Sequence, residues 1–285
     1  MMQLGLDIGG TSIKAAIFRN GRCVSIAQST PYSRPTVDEL RAVMGAAVEN
    51  ARAVDAVGLC LPGSFDVSTR RLTHCVNVPA LTGVHMDSLV RKSLHLPRRV
   101  RIRVCGDAVA AAYDIRHSRR LIGRLLVLAL GTGVGCGVLD GHEALDVDEG
   151  SSGHFGQIDV SLCGHDVIGP DGGAGGLEGY IGAPALQKRH PGVTPADALA
   201  RYAGDEPPVR ALVRALRIAH AIYRPRHICL CGGIGLALRR LLPAIRKQVQ
   251  THLTSLARPG WTLTCGNDLY HAARGAARLA ALREI

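Results

Sequence analysis

The chain has 285 residues, 47% of them hydrophobic, which excludes a disordered polypeptide and leaves one large or two medium domains as the expectation. Its formal charge of +11 rests on 34 Lys and Arg against 23 Asp and Glu, spread without blocks beyond pairs such as Arg98-Arg99 and Arg119-Arg120. With aromatics at only 4% there is little to stack on bases, so the basic balance reads as a surface that attracts anionic small molecules rather than as a nucleic-acid site.

Apolar residues 2–8 predict a strand that meets Gly9-Gly10. A second strand follows over Ser12–Phe18, and Asn20-Gly21 is a hairpin signal before a third over Cys23–Gln28. Thr36–Ala53 has helical spacing, with Thr36 as N-cap and Glu39 completing a capping box. Ala53–Gly63 reads as a buried strand ending in a Pro-Gly turn, and Ser64–Val84 as a polar, turn-rich stretch. Arg98–Cys105 predicts a strand and Asp107 the start of an Ala-rich helix. Two glycine-broken strands come next, Leu125–Leu130 and Val134–Leu139. The Gly- and Asp-rich run from Gly150 to Gly176 is long for a loop in a compact domain, and such loops are usually functional. Helices fit Leu177–Lys188, Thr194–Tyr202 and Pro207–Tyr223. A strand over His227–Cys231 meets Gly232-Gly233 and a helix to about Leu256. Trp261–Cys265 is the last strand, and the last helix begins near Asp268.

This rhythm occurs twice. Residues 4–18 and 125–140 are matching hairpins, each opening an α/β half. The domain expectation is therefore a small N-terminal unit over 1–107, onto which a helix at 269–285 packs back, and a larger unit over 108–268. No apolar run reaches the roughly 20 residues of a membrane span. Asp7 interrupts any signal-peptide pattern, so a cytoplasmic location is expected. The nine cysteines are odd in number, form no C-x-x-C pair and lie mostly in apolar runs, as reduced buried thiols do.

The turns "DIGGT" and "LGTGVG" carry the chemistry. Gly lets a phosphate approach the backbone N–H groups without a Cβ in the way, and Thr adds a hydroxyl. Asp7 stands where it could hold magnesium through water, and Lys14 lies three residues beyond Thr11. Either turn alone reads as an ordinary hairpin. Two, one opening each half, could clamp a polyphosphate from both sides. A dinucleotide fingerprint is not met, because Val134–Leu139 looks like a strand where that motif needs a helix, and no P-loop pattern occurs.

"LGLDIGGTSIKAAIF" resembles the first phosphate motif of the ROK family of bacterial sugar kinases. Six further stretches resemble that family's motifs in order: "VGLCLPGSFD", "NVPALTGVHM", "CGDAVAAAY", "LALGTGVGCGVL", "GGLEGYIGAPAL" and "ICLCGGIG". The resemblance implies an actin-like ATPase (ribonuclease H-like) α/β fold with two similar domains flanking a cleft. It also implies ATP and Mg²⁺ as cofactors, a small-molecule sugar as partner, and a homodimer as in many members. Carried over, the nucleotide side is Asp7, Gly9, Gly10, Thr11, Lys14, Gly131, Thr132, Gly133, Gly232 and Gly233. Asp107 becomes the general base, a role that suits a carboxylate held as the anion at a helix N-terminus. Gly63, Asn77, Gly106, His154, Gln157 and Glu178 fall on the sugar side. Taken singly, Asp107 reads as a plain N-cap, Asn77 as a turn residue and Glu178 as a first-turn helix carboxylate.

The departures sit on the sugar side. Gly106 replaces the family's Asn before the base, and Val109 replaces the later Asn of that motif. His154 replaces a sugar-binding Glu. Gln157 replaces a His that touches sugar and binds zinc. The three zinc cysteines align with Gly169, Asp171 and Gly176, none a thiolate, so no zinc is expected. A set of Cys163, His165, His154 and Asp171 could rebuild one only within one flexible stretch. Losing a buried hydrogen-bond partner rejects a substrate strongly, so the sequence predicts phosphorylation of a modified or less common hexose. Two other readings compete. Repressor members carry a helix-turn-helix before the first phosphate motif, which begins here by residue 4. A catalytically impaired sugar or nucleotide sensor is favoured by His154 and Gln157 and opposed by Asp107.

Overall fold

The computed structural model describes residues 1–48, 54–61, 63–75, 77–147, 151–170 and 172–282. It divides into two compact units: Met1–Ser118 with Asp146–Ser151 and Tyr270–Ile285, and Arg119–Leu145 with Ser152–Leu269.

The first unit is built on strands β1 (Met2–Ile8), β2 (Ile13–Arg19), β3 (Arg22–Gln28), β4 (Ala56–Leu61) and β7 (Arg101–Gly106). Their order is β3-β2-β1-β4-β7. The first three strands pair antiparallel, and β1, β4 and β7 run parallel. The second unit repeats this plan with β8 (Leu125–Leu130), β9 (Val134–Asp140), β10 (Glu143–Ala144), β11 (His227–Cys231) and β12 (Thr262–Cys265), in the order β10-β9-β8-β11-β12. Both sheets thus read third-second-first-fourth-fifth once the side hairpin β5 (Ser64–Asp66) and β6 (Arg71–His74) is set aside. The central parallel strand β4 is apolar throughout and every one of its residues is buried.

Helix α1 (Val37–Ala47) starts as its sequence predicts. Thr36 Oγ1 accepts from Glu39 N at 3.2 Å, and Glu39 Oε2 accepts from Thr36 N at 2.7 Å. The predicted extension of this helix over 49–53 lies outside the described residues. The stretch after β4 holds more structure than its polarity suggests. β5 and β6 pair around a turn where Asp66 Oδ1 accepts from the amides of Ser68 and Thr69. Helix α2 (Met86–Leu94), also not evident in the sequence, has unusual ends: His85 Nδ1 caps it from Ser88 N, and His95 closes it in the left-handed conformation at φ 52°.

The last helix, α10 (His271–Ala281), lies directly on β1 and β4 of the first unit. Gly5 and Gly58 are register partners there. A Cβ on Gly5 would meet Ala273 O at 1.8 Å, and one on Gly58 would meet Ala276 O at 1.9 Å. On the other side Gly275 meets α3 (Asp107–Arg119), where a Cβ would fall 1.7 Å from Ala110 O. Three glycines therefore let helix backbone touch strand and helix backbone. This contact places α3 in the first unit, so the division falls after Ser118. Gly58→Ala is expected to cost about 3 kcal/mol by overpacking, read as a lowered midpoint in thermal unfolding. An unchanged midpoint would contradict this packing.

The second unit carries α4 (Leu177–Ile181), α5 (Ala183–Arg189), α6 (Pro195–Ala200), α7 (Pro207–Tyr223), α8 (Gly232–Ala237) and α9 (Leu242–His252). Its core gathers residues such as Leu126, Leu128, Tyr180, Leu212, Leu216 and Ile245. The single helix predicted over 177–188 is two, broken at Gly182 with ψ 153°. The helix predicted from Gly232 to about Leu256 is likewise α8, a short 3₁₀ turn and α9. Among the described residues no helix is long and apolar enough to cross a membrane.

Candidate active site

In the first unit, β1 delivers Asp7 and β2 delivers Lys14 as register partners across the hairpin. Lys14 Nζ lies 3.8 Å from Asp7 Oδ2. Between them the Gly9-Gly10-Thr11 turn is closed by Gly9 N donating to Ser12 O at 3.1 Å. Tyr32, which the sequence reading did not single out, braces it twice. Its hydroxyl donates to Gly9 O at 2.6 Å and its amide donates to Thr11 O at 2.9 Å. Burial pushes the Tyr32 phenol up, with Asp7 and then Cys75 adding to the effect, so it stays a neutral donor. The signal was a lone Tyr after a predicted strand, and nothing in local spacing ties it to a turn over twenty residues earlier.

Asp107 opens α3 directly after β7 and is half-buried. Its Oδ1 accepts from Ala108 N at 2.6 Å. Burial raises its carboxyl above the usual carboxylate range, against the pull of the Ala108 amide and of Lys14. The sequence expectation that the helix terminus holds the anion is thus outweighed by desolvation. Asp7 is lifted to about 6, first by burial, with Lys14 opposing and Asp107 adding. Lys14 therefore sits within electrostatic reach of both carboxylates. Gly106 precedes Asp107 at the end of β7 and offers no side chain. Asn77 is half-buried, and its amide, with that of Val78, points at the buried Cys75 sulfur. Gly63 sits at φ 122°, where a Cβ would meet His74 O at 2.0 Å, so only glycine fits.

In the second unit the turn Gly131-Thr132-Gly133 joins β8 to β9, and Gly131 N donates to Gly133 O at 3.0 Å. The break at Gly182 brings Ala183 N onto Gly131 O at 2.9 Å. Gly232, at φ 77°, abuts Leu130 O, where a Cβ would stand 2.3 Å away. The two glycine pairs of this unit are thereby neighbours. Gly233 has open space around it.

Glu178 does something the sequence reading did not foresee. Its Oε2 accepts from Val134 N at 2.7 Å, just past the turn. A Cβ on Gly133 or Gly156 would lie 2.6 or 3.1 Å from that oxygen. His154 and Gln157 are exposed and flank Phe155 and Gly156 in one short 3₁₀ turn, with Gln157 N donating to His154 O at 2.9 Å. The turn, Glu178, His154 and Gln157 therefore share one neighbourhood. Asp171 lies outside the described residues, among which no group of three or more His, Cys, Asp or Glu could hold a metal ion.

Two copies of one sheet plan, each with a glycine turn after its first strand, match the architecture of an actin-like α/β protein. The chain belongs to the ROK family, whose model matches residues 3–282. It is similar to the N-acetyl-D-glucosamine kinase of Yersinia pseudotuberculosis, 24% identical over 281 residues and covering 90% of this chain and 91% of that protein. Among solved structures it is similar to a ROK family glucokinase from Streptomyces griseus in complex with glucose and AMPPNP. The TM-score is 0.76 at 23% identity, covering 98% of this chain and 99% of that one. A ROK family transcriptional regulator, a homolog of the E. coli MLC protein, has the same TM-score of 0.76 at 17% identity, over 98% of this chain and 77% of that one. Kinase and regulator thus share the fold, and the site must separate them.

Proposed function

We propose that this protein moves the γ-phosphoryl group of ATP to a hydroxyl of a modified or less common hexose, an N-acetylated hexosamine among them. The observation that carries this reading is Asp107, a half-buried carboxylate with a raised pKa at a strand-to-helix junction, in the same unit as the Asp7–Lys14 turn. A base tuned upward sits nearer to working pH. Asp107 accepts the sugar hydroxyl's proton as the sugar oxygen bonds to the γ-phosphorus, and the bond from that phosphorus to the bridging oxygen breaks to leave ADP. The backbone amides of Gly9–Thr11 hold phosphate oxygens and Lys14 offsets their charge. The turns at Gly131–Gly133 and Gly232-Gly233 serve the nucleotide. Asp7, poorly compensated for its burial, suits a magnesium ion taken through water. When bound, Mg²⁺ neutralises charge on the phosphates.

The kinship with an N-acetyl-D-glucosamine kinase supports the acceptor class. Gly106, His154 and Gln157 support a hydroxyl or substituent pattern other than glucose, since His can donate where Glu only accepts. The test is ATP consumption over hexoses, amino sugars and N-acetyl sugars. Turnover of at least one non-glucose sugar above glucose is expected. No turnover across the panel would overturn the kinase reading. Exposed His154 and Gln157 favour, as a second reading, a sensor that binds without turnover, and calorimetry with ATP and with sugars would then show binding alone.

A further inference from the structure

The zinc pattern that the family resemblance implies does not fit this chain. Gly169 and Gly176 offer no side-chain ligand, and Gly169 is packed so closely that a Cβ on Gly179 would stand 3.3 Å from its amide nitrogen. The described residues between Ile158 and Leu177 are nevertheless highly organised. Asp159 and Gly176, Leu162 and His165, and Ile168 and Ala174 form antiparallel bridges. Val160 N donates to Gly175 O, and Gly175 N to Val167 O, both at 2.9 Å. Gly175 adopts φ 70°, where a Cβ would meet Ser161 Oγ at 2.1 Å. At the centre is Tyr180 of α4, wholly buried. Its hydroxyl accepts from Leu162 N at 3.0 Å and donates to His165 O at 2.6 Å. One phenol thus closes the turn that contains Cys163 and His165, and ties it to the helix that carries Glu178.

We propose that Tyr180 is a positioning residue that clamps this segment in place of a metal, so that the neighbourhood of Gln157 and Glu178 forms without zinc. A buried hydroxyl that both donates and accepts satisfies two backbone groups at once, and leaving them unmade in the interior is costly. The consequence for sugar binding rests on the kinase reading. The clamp does not.

The test uses the full chain. Tyr180→Phe keeps the ring and removes only the hydroxyl, with Tyr202→Phe as control, since Tyr202 Oη pairs with His190 Nε2 at 2.8 Å outside the segment. Hydrogen exchange over peptides spanning 158–168 is expected to quicken roughly fivefold or more in Tyr180→Phe and not in Tyr202→Phe. The purified wild-type protein is expected to hold no stoichiometric zinc, and o-phenanthroline to leave its unfolding midpoint unchanged. With an accepted sugar, Tyr180→Phe raises the KM for sugar and leaves that for ATP. Stoichiometric zinc, a chelator-sensitive midpoint, unchanged exchange in Tyr180→Phe, or equal effects in both variants would each overturn the clamp. Exchange and metal content read the segment whether or not any sugar is turned over, so failure of the kinase reading stays distinguishable.

Discussion

Asp107→Asn lowers turnover of the accepted sugar by about 10²–10⁴-fold, the span typical of removing a general base, while calorimetry finds ATP still bound. The substitution is isosteric and leaves an acceptor oxygen for Ala108 N, so α3 starts as before. What goes is the capacity to take a proton. Stability should move the other way. Burial raises the Asp107 carboxyl above its unfolded value, so the folded state disfavours the anion. That penalty is absent below the unfolded pKa, develops as pH rises toward the folded pKa, and is fully present above it. At neutral pH the variant therefore unfolds at a higher temperature than the wild type, and the difference shrinks on acidification. A less active but more stable variant is the signature of a residue held for chemistry rather than for folding. Loss of activity together with loss of stability would instead make Asp107 an ordinary cap. Unchanged turnover would remove it from the mechanism.

The two glycine hairpins are legible in the sequence because apolar strands stop at glycines beside a Thr, with Asp7 before the first of them. Asp7, Lys14 and Asp107 follow from motif order. What local pattern cannot carry is contact between distant residues. Nothing near Tyr32 says that its hydroxyl ends on Gly9 O, and nothing near Tyr180 points to Leu162 and His165. Glu178 is visible as a motif residue, yet its hold on the Val134 amide emerges only when α4 packs beside β9. Helix α2 escapes pattern reading because His caps both of its ends, where Ser, Thr, Asp or Gly would be sought. The break at Gly182 has a local cause in Pro184, which stands in the first turn of α5 and has no amide N–H to continue α4, and a Cβ at Gly182 would stand 2.8 Å from Glu178 O and 2.9 Å from Thr132 O.

Asp114→Asn is expected to destabilise the protein by about 3–5 kcal/mol, because it removes the buried negative charge on which Arg274 and Arg278 converge. Asp114 is 1% exposed. Its Oδ2 accepts from His271 Nδ1 at 2.8 Å and from Arg274 Nε at 2.9 Å, and its Oδ1 accepts from Arg278 Nε at 3.0 Å. Arg278 also lies over the Phe18 ring, 4.8 Å from its centre. Burial alone would raise this carboxyl, but hydrogen bonds from His271, Arg274 and Arg278 outweigh it and hold it down at about 2. The folded value is thus below the unfolded one. Its stabilisation is present above the unfolded pKa near 4 and is lost as pH falls through about 2, a contribution of roughly 2–3 kcal/mol. Wild-type stability should therefore drop across that window, and Asp114→Asn should lack that drop. The cluster joins α3 to α10 about two helical turns beyond Asp107. If it sets where α3 begins, Asp114→Asn also lowers kcat at temperatures well below its own unfolding midpoint, with the KM for ATP little changed. Denaturant unfolding at pH 7 and at pH 3, with kinetics at low temperature, separates the two effects. A destabilisation below about 1 kcal/mol would mean that the cluster behaves like an exposed ion pair, and the packing of Gly275 on Ala110 would then be what joins the two helices.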